Sequence, residues 1–271
     1  MTNRIALGIG KLNRNRLSQV LRKSSGIFDV KEVACWLGIT SVEASKILSY
    51  WSKNGWVKRL KRGLYIPVPL ESSNGDIAVE EPWVLAEKLF RPCYIGGWSA
   101  SEYLDLTEQI YGTVMIFTAS NIKQKEVNIA GVKFYCKRVS ADKIWGTKTE
   151  WRGKIKVLIS DKERTIVDML SDPKVGGGIR PVLDVLTEYW ESEDRNIDKI
   201  KEYARKLENG VIFKRLGFLL EMNFPKEIEL LEYCKQNISK GNSKLDSSLY
   251  CNKLSSKWNL WVPENWKVEK K

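Results

Sequence analysis

The chain has 271 residues, 43% hydrophobic and 29% charged, with a formal net charge of +12. That length suits two ordinary domains, and the composition is too apolar for a disordered chain. No apolar run approaches the roughly eighteen residues of a membrane span, and the N-terminus lacks a signal-peptide core, so a cytoplasmic protein without a membrane partner is expected. There is no histidine. This excludes Ser-His and Cys-His nucleophilic pairs and imidazole-bound zinc. The five cysteines are scattered, with no C-x-x-C spacing. They read as small apolar residues in a reducing compartment, and no metal or other cofactor is expected.

The charge is unevenly distributed. Residues 1–66 hold thirteen Lys and Arg against Asp29, Glu32 and Glu43, a net of +10, while the other 205 residues are nearly neutral at +2. A polyanion-binding module joined to an electrically ordinary one is the pattern this suggests.

The first element is a rough apolar stripe, Leu12, Leu17, Val20 and Leu21, ending near Gly26. Asp29-Val-Lys-Glu32 is then an acidic N-cap with glutamate three residues on, which starts a helix with Val33, Ala34 and Leu37 on its apolar face and Gly38 at its end. Thr40-Ser-Val-Glu43 is a second such box. Ala44, Ile47, Leu48 and Trp51 follow at helical spacing, and Gly55 suits a left-handed cap. Trp56–Leu60 and Leu64–Ile66 then read as strands around Lys61-Arg62-Gly63, a hairpin with a basic tip closed by Pro67 and Pro69. A helix, a helix-turn-helix and a basic hairpin in this order form a winged helix-turn-helix.

With Ala44, Ile47, Leu48 and Trp51 inward, the second helix of the motif presents Ser41, Glu43, Ser45, Lys46, Ser49 and Lys53 to water, with Tyr50 at the boundary. Such a face fits the major groove of double-stranded DNA, where its hydroxyl, carboxylate and ammonium groups can meet base edges. Lys58, Arg59, Lys61 and Arg62 of the wing are expected on phosphates or in the minor groove.

Residues 70–79 have linker composition and divide a winged-helix domain at 1–69 from a second domain at 80–271. In the second, Glu81-Pro82 opens a helix through Phe90, and another is expected from Ser99 to Leu106. Strands are expected at 114–118, 127–129, 133–139 and 155–159. After Ser160-Asp161 the reading turns helical, with helices near 180–192, 197–208, 211–223 and 226–237. The class is therefore α+β, with a winged helix followed by a larger mixed domain whose C-terminal half is helical. Gly176–Gly178 reads as a hinge, and Trp258, Trp261 and Trp266 as anchors for the tail.

No enzyme is expected. Gly97-Trp-Ser-Ala-Ser101 lacks the last glycine of a nucleophile elbow and any histidine to activate Ser99. Asp161, Glu163 and Asp168 follow a strand and keep a Mg²⁺-dependent nuclease open as a rival, although acids in a first helical turn are favoured by the helix dipole alone.

The hairpin Leu60-Lys-Arg-Gly-Leu-Tyr-Ile-Pro67 resembles the end of the winged helix in AbiEi-type antitoxins. The likeness continues through Pro82–Phe90, Tyr94-Ile-Gly-Gly-Trp-Ser-Ala100, Leu106-Thr-Glu-Gln-Ile110 and Ser160-Asp-Lys-Glu-Arg-Thr-Ile-Val-Asp-Met-Leu170. It spans roughly residues 30 to 190. The resemblance implies the antitoxin of a bacterial type IV toxin–antitoxin, or abortive-infection, system of phage defence. It further implies a repressor that binds inverted repeats of its own operon, and a second domain that counteracts a nucleotidyltransferase toxin without needing a stable complex. It transfers no toxin-contacting residue. The alternative is a one-component transcriptional regulator with a C-terminal ligand-binding or dimerisation domain.

Overall fold

The computed structural model describes residues 10–24, 26–68 and 81–266. The expected linker at 70–79 and the closing Pro69 lie outside the described residues. The first segment comprises α1 (Lys11–Lys23), β1 (Phe28–Asp29), α2 (Val30–Leu37), α3 (Ser41–Lys53), β2 (Val57–Lys61) and β3 (Leu64–Pro67). Both expected capping boxes form. Asp29 and Glu32 exchange side-chain-to-backbone bonds at α2, and Thr40 and Glu43 do so at α3. Each box satisfies two N–H groups that a helix start leaves unpaired. Gly38 closes α2 at φ 64° and Gly55 follows α3 at φ 77°, left-handed conformations that cost glycine little.

Val20, Phe28, Val33, Ala44, Leu48, Trp51, Val57 and Tyr65 form the core of this segment. Trp51 is fully buried, and its indole N–H donates to Asn13 Oδ1 at 3.2 Å, tying α1 to α3. β2 and β3 form the hairpin, and β1 adds to its β3 side in the order β1-β3-β2.

The larger part begins with α4 (Pro82–Phe90), β4 (Cys93–Ile95) and α5 (Gly97–Tyr103), then β5 (Thr113–Thr118), β6 (Glu126–Ile129), β7 (Val132–Arg138), β8 (Thr147–Arg152) and β9 (Ile155–Ser160). These strands make one mixed sheet in the order β6-β7-β5-β4-β9-β8, parallel at β5–β7 and β4–β9. The helical half follows as α6 (Lys162–Ser171), α7 (Ile179–Glu191), α8 (Ile197–Lys206), α9 (Val211–Asn223) and α10 (Ile228–Gln236). The tail forms a small second sheet of β10 (Ser243–Lys244), β11 (Lys253–Ser255) and β12 (Leu260–Val262). The fold is therefore α+β with a helical C-terminal half.

Strand alternation sends side chains to two cores. Tyr94, Met115 and Phe117 face the helices α6, α7 and α9. Ile95, Ile116, Phe134, Cys136, Val157 and Ile159 face Val84, Leu85 and Phe90 of α4. The second core also takes in Ile27, Leu64 and Ile66 of the winged helix.

The structure departs from the sequence expectation at several points. β1, β4 and β8 lie outside the expected strands, and the tail adds a small sheet that the sequence does not announce. Gly176–Gly178, expected as a hinge, is a hydrogen-bonded turn. Gly178 N–H donates to Pro173 O at 2.8 Å, and Ile179 N–H donates to the buried Asp246 at 2.8 Å.

Candidate nucleic-acid interface

Helix α3 turns Ala44, Leu48 and Trp51 inward and leaves Ser41, Val42, Ser45, Lys46, Ser49, Tyr50 and Lys53 exposed. Most of the exposed positions recur at three- and four-residue intervals and so share one face. The sequence reading passed over Val42, which is 64% exposed in the first turn. The signal was available: an apolar residue two positions before Ala44 cannot reach the same core face. Its methyls suit contact with a thymine methyl, while the hydroxyl and ammonium groups beside it suit base-edge hydrogen bonds. Tyr50 is half-exposed, with its ring held edge-on to Trp56 at 5.6 Å.

Glu43 occupies a different chemical position from its neighbours. Its carboxylate accepts from Thr40 N at 2.9 Å and from Thr40 Oγ1 at 2.8 Å. These bonds, helped by the charges of Arg16 and Lys46, hold the carboxyl below its ordinary range. The carboxylate is thereby engaged at the helix start.

The wing divides in the same way. Lys58, Arg59, Lys61 and Arg62 are all exposed on the hairpin, and Arg59 Nε donates to Lys61 O at 3.3 Å. Lys61 turns toward the larger part, where its ammonium donates to Lys88 O at 3.2 Å and Leu89 O at 2.9 Å. These carbonyls end α4, where a cation complements the helix dipole. Burial, reinforced by Arg91, lowers the pKa of Lys61. Beside it, Lys88 of α4 pairs with Glu32 of α2.

The carboxylates of the nuclease rival are occupied by protein donors. Asp161 accepts from Arg164 N at 2.8 Å and from Tyr203 OH at 3.1 Å. Lys199 Nζ bridges Asp161 at 3.1 Å and Glu163 at 2.8 Å, and Tyr189 OH donates to Glu163 at 2.9 Å. Asp168 accepts from Tyr94 OH at 2.8 Å and Arg164 Nε at 3.0 Å. A Mg²⁺ ion at Asp161 and Glu163 would have to displace Lys199. Among the described residues, no group of three or more Cys, Asp or Glu is placed to hold a metal. Ser99 Oγ accepts from Met115 N at 2.9 Å, which anchors α5 to β5. No described helix is long and apolar enough to cross a membrane.

No curated protein is significantly similar to the chain. Residues 15–68 match the family model described as a transcriptional regulator, AbiEi antitoxin. The match runs from within α1 to just past β3, taking in α3 and the wing. Over this N-terminal fifth, the chain is similar to AbiEi antitoxin transcriptional regulators.

Proposed function

We propose that the protein is the non-enzymatic antitoxin of a bacterial toxin–antitoxin system and represses its own operon. The observation that carries this reading is the match to AbiEi regulators over a segment whose α3 and wing present exposed cationic and hydroxyl groups. In this reading, Ser41, Val42, Ser45, Lys46, Ser49, Tyr50 and Lys53 face the major groove of an inverted repeat. Lys58, Arg59 and Arg62 hold phosphates, while Glu43 and Lys61 position the helix and the wing. Residues 80–271 form the antitoxin domain, which counteracts a nucleotidyltransferase toxin without requiring a stable complex.

The test uses the full chain and DNA from immediately upstream of its own gene. Electrophoretic mobility shift with that duplex, against a scrambled duplex of equal length, should show at least a thousandfold preference at near-physiological salt. Co-expression with the adjacent gene should relieve that gene's toxicity. Equal affinity for both duplexes removes the repressor reading. A harmless neighbour, or unrelieved toxicity, removes the antitoxin reading.

A further inference from the structure

On β7, Lys133, Tyr135 and Lys137 occupy alternate positions on one face, while Phe134 and Cys136 enter the core on the other. Antiparallel pairing with β6 sets Glu126 beside Tyr135 and Asn128 beside Lys133. Two adjoining cavities open here and share Tyr135 as a wall. One, of about 630 Å³, is lined by Trp98, Tyr111, Asn128 and Lys133. The other, of about 410 Å³, is lined by Lys123, Lys125, Lys137 and Arg138. An aromatic half and a cationic half thus meet at a single ring.

The aromatic half is fixed in place. Trp98 donates through its indole N–H to Thr113 O at 2.6 Å, stacks with Tyr111 at 5.6 Å and meets Tyr135 edge-on at 5.5 Å. Gly177 permits this arrangement, since a Cβ there would approach the Tyr111 hydroxyl to 3.0 Å. In the cationic half, Lys137 is neutralised by Asp172 at 2.8 Å, which leaves Lys123, Lys125 and Arg138 exposed beside it.

We propose that the end of β7, together with β6 and the stretch before it, binds single-stranded RNA. Unpaired bases would stack against Tyr135 and Tyr111 on one side, with the phosphates passing round the strand end to Lys125, which lies opposite Cys136, and to Arg138. Aromatic platforms beside cations suit splayed bases, whereas a duplex keeps its bases stacked on one another. Glu126 favours ribose over deoxyribose. Its exposed carboxylate is an acceptor beside Tyr135, and the 2′-hydroxyl is a donor that a DNA backbone lacks. The inference does not depend on operator binding by α3 and the wing.

The test is fluorescence anisotropy of the full chain with a labelled mixed-sequence octaribonucleotide and its deoxyribose counterpart. The RNA should bind more tightly than the DNA. Tyr135→Leu should weaken RNA binding by about tenfold. Lys125→Gln with Arg138→Gln should lower the slope of log affinity against log salt by about 1.4, at roughly 0.7 per lost single-strand phosphate contact. These two exposed residues keep the test valid if Tyr135→Leu disturbs folding. A Lys46→Gln, Arg59→Gln, Arg62→Gln variant should bind the RNA unchanged. No RNA binding, indifference to the Lys125 and Arg138 changes, loss with the α3 and wing variant, or equal affinity for the DNA would each overturn the proposal.

Discussion

The other exposed cations of α3 and the wing should behave differently from Lys61 when neutralised. Lys46 is exposed on α3, as are Arg59 and Arg62 on the wing, whereas the Lys61 ammonium sits on the last carbonyls of α4. Changing Arg59 and Arg62 together to Gln should lower the salt slope of duplex binding by about 1.8, at roughly 0.9 per phosphate. Between about 50 and 200 mM salt, the variant should therefore lose roughly 12-fold less affinity than the parent. Lys61→Gln should leave the slope unchanged. It should instead lower folding stability by about 0.3–1 kcal/mol, the usual range for a partly exposed cation at a helix C-terminus. Anisotropy titrations at four salt concentrations, paired with urea unfolding of the same samples, measure both quantities. A slope change in Lys61→Gln equal to that of Arg59→Gln, without loss of stability, would refute the assignment of Lys61 to α4.

Four further outcomes follow from the packing. Gly217→Ala would drive a Cβ into the Trp258 ring, so it should cost about 1–3 kcal/mol by overpacking, and Trp258→Leu in the same chain should recover part of this. Urea unfolding that shows no loss in the single variant would remove the contact. Asp168→Ala leaves Arg164, 1% exposed, without its carboxylate and should cost about 3–5 kcal/mol, whereas a loss below about 1 kcal/mol would mean the guanidinium is hydrated. Ellman's reagent should label Cys35, which is exposed. It should spare Cys136 and Cys234 until unfolding, because burial pushes their thiols up to about 11 and about 12. Burial raises the Asp172 carboxyl, but the hydrogen bond and charge of Lys137 outweigh it, and the net shift is downward. The stability this gives is complete above the ordinary carboxyl range, near pH 4, and is lost as pH falls through the lowered value. Lys137→Gln should therefore move acid unfolding to higher pH, and an unmoved midpoint followed by circular dichroism would exclude the coupling.

The parts of the fold written into local chemistry were the legible ones. Asp29–Glu32 and Thr40–Glu43 announce helix starts, since a capping box needs only residues three apart. The period of Ala44, Leu48 and Trp51 fixed the inward side of α3, and with it the exposed serines and lysines. β8 was hidden because Thr-Lys-Thr-Glu-Trp-Arg lies at a sheet edge, paired only to β9, and its residues show no apolar alternation. β4 was hidden for the opposite reason. It is central and buried at every position, and three residues are too few to show a period. Lys61 looked like any other wing cation because its partners are backbone carbonyls some 27 residues away. The β6–β7 face escaped notice for a similar reason. Residues 133–139 read as a strand, but the neighbours of Tyr135 come from α5 and from the stretch before β5.

The cationic character of the N-terminal segment depends as much on where its acids go as on how many bases it has. Asp29 and Glu43 are both engaged in capping boxes, and Glu32 serves its own box and also meets Lys88. The three acids among residues 1–66 are thus held at helix starts or against α4. Packing completes the separation. Ile27, Leu64 and Ile66 share a core with α4 and the large sheet, and Lys61 leans the same way, so one side of the winged helix is apolar and capped. Lys46, Lys53, Arg59 and Arg62 remain on the exposed surfaces of α3 and the hairpin. The contacts that fasten the winged helix to the rest of the chain therefore withdraw from the solvent-exposed field one of the acids that would oppose a polyanion, leaving the exposed face of α3 and its flanking cations to dominate that field.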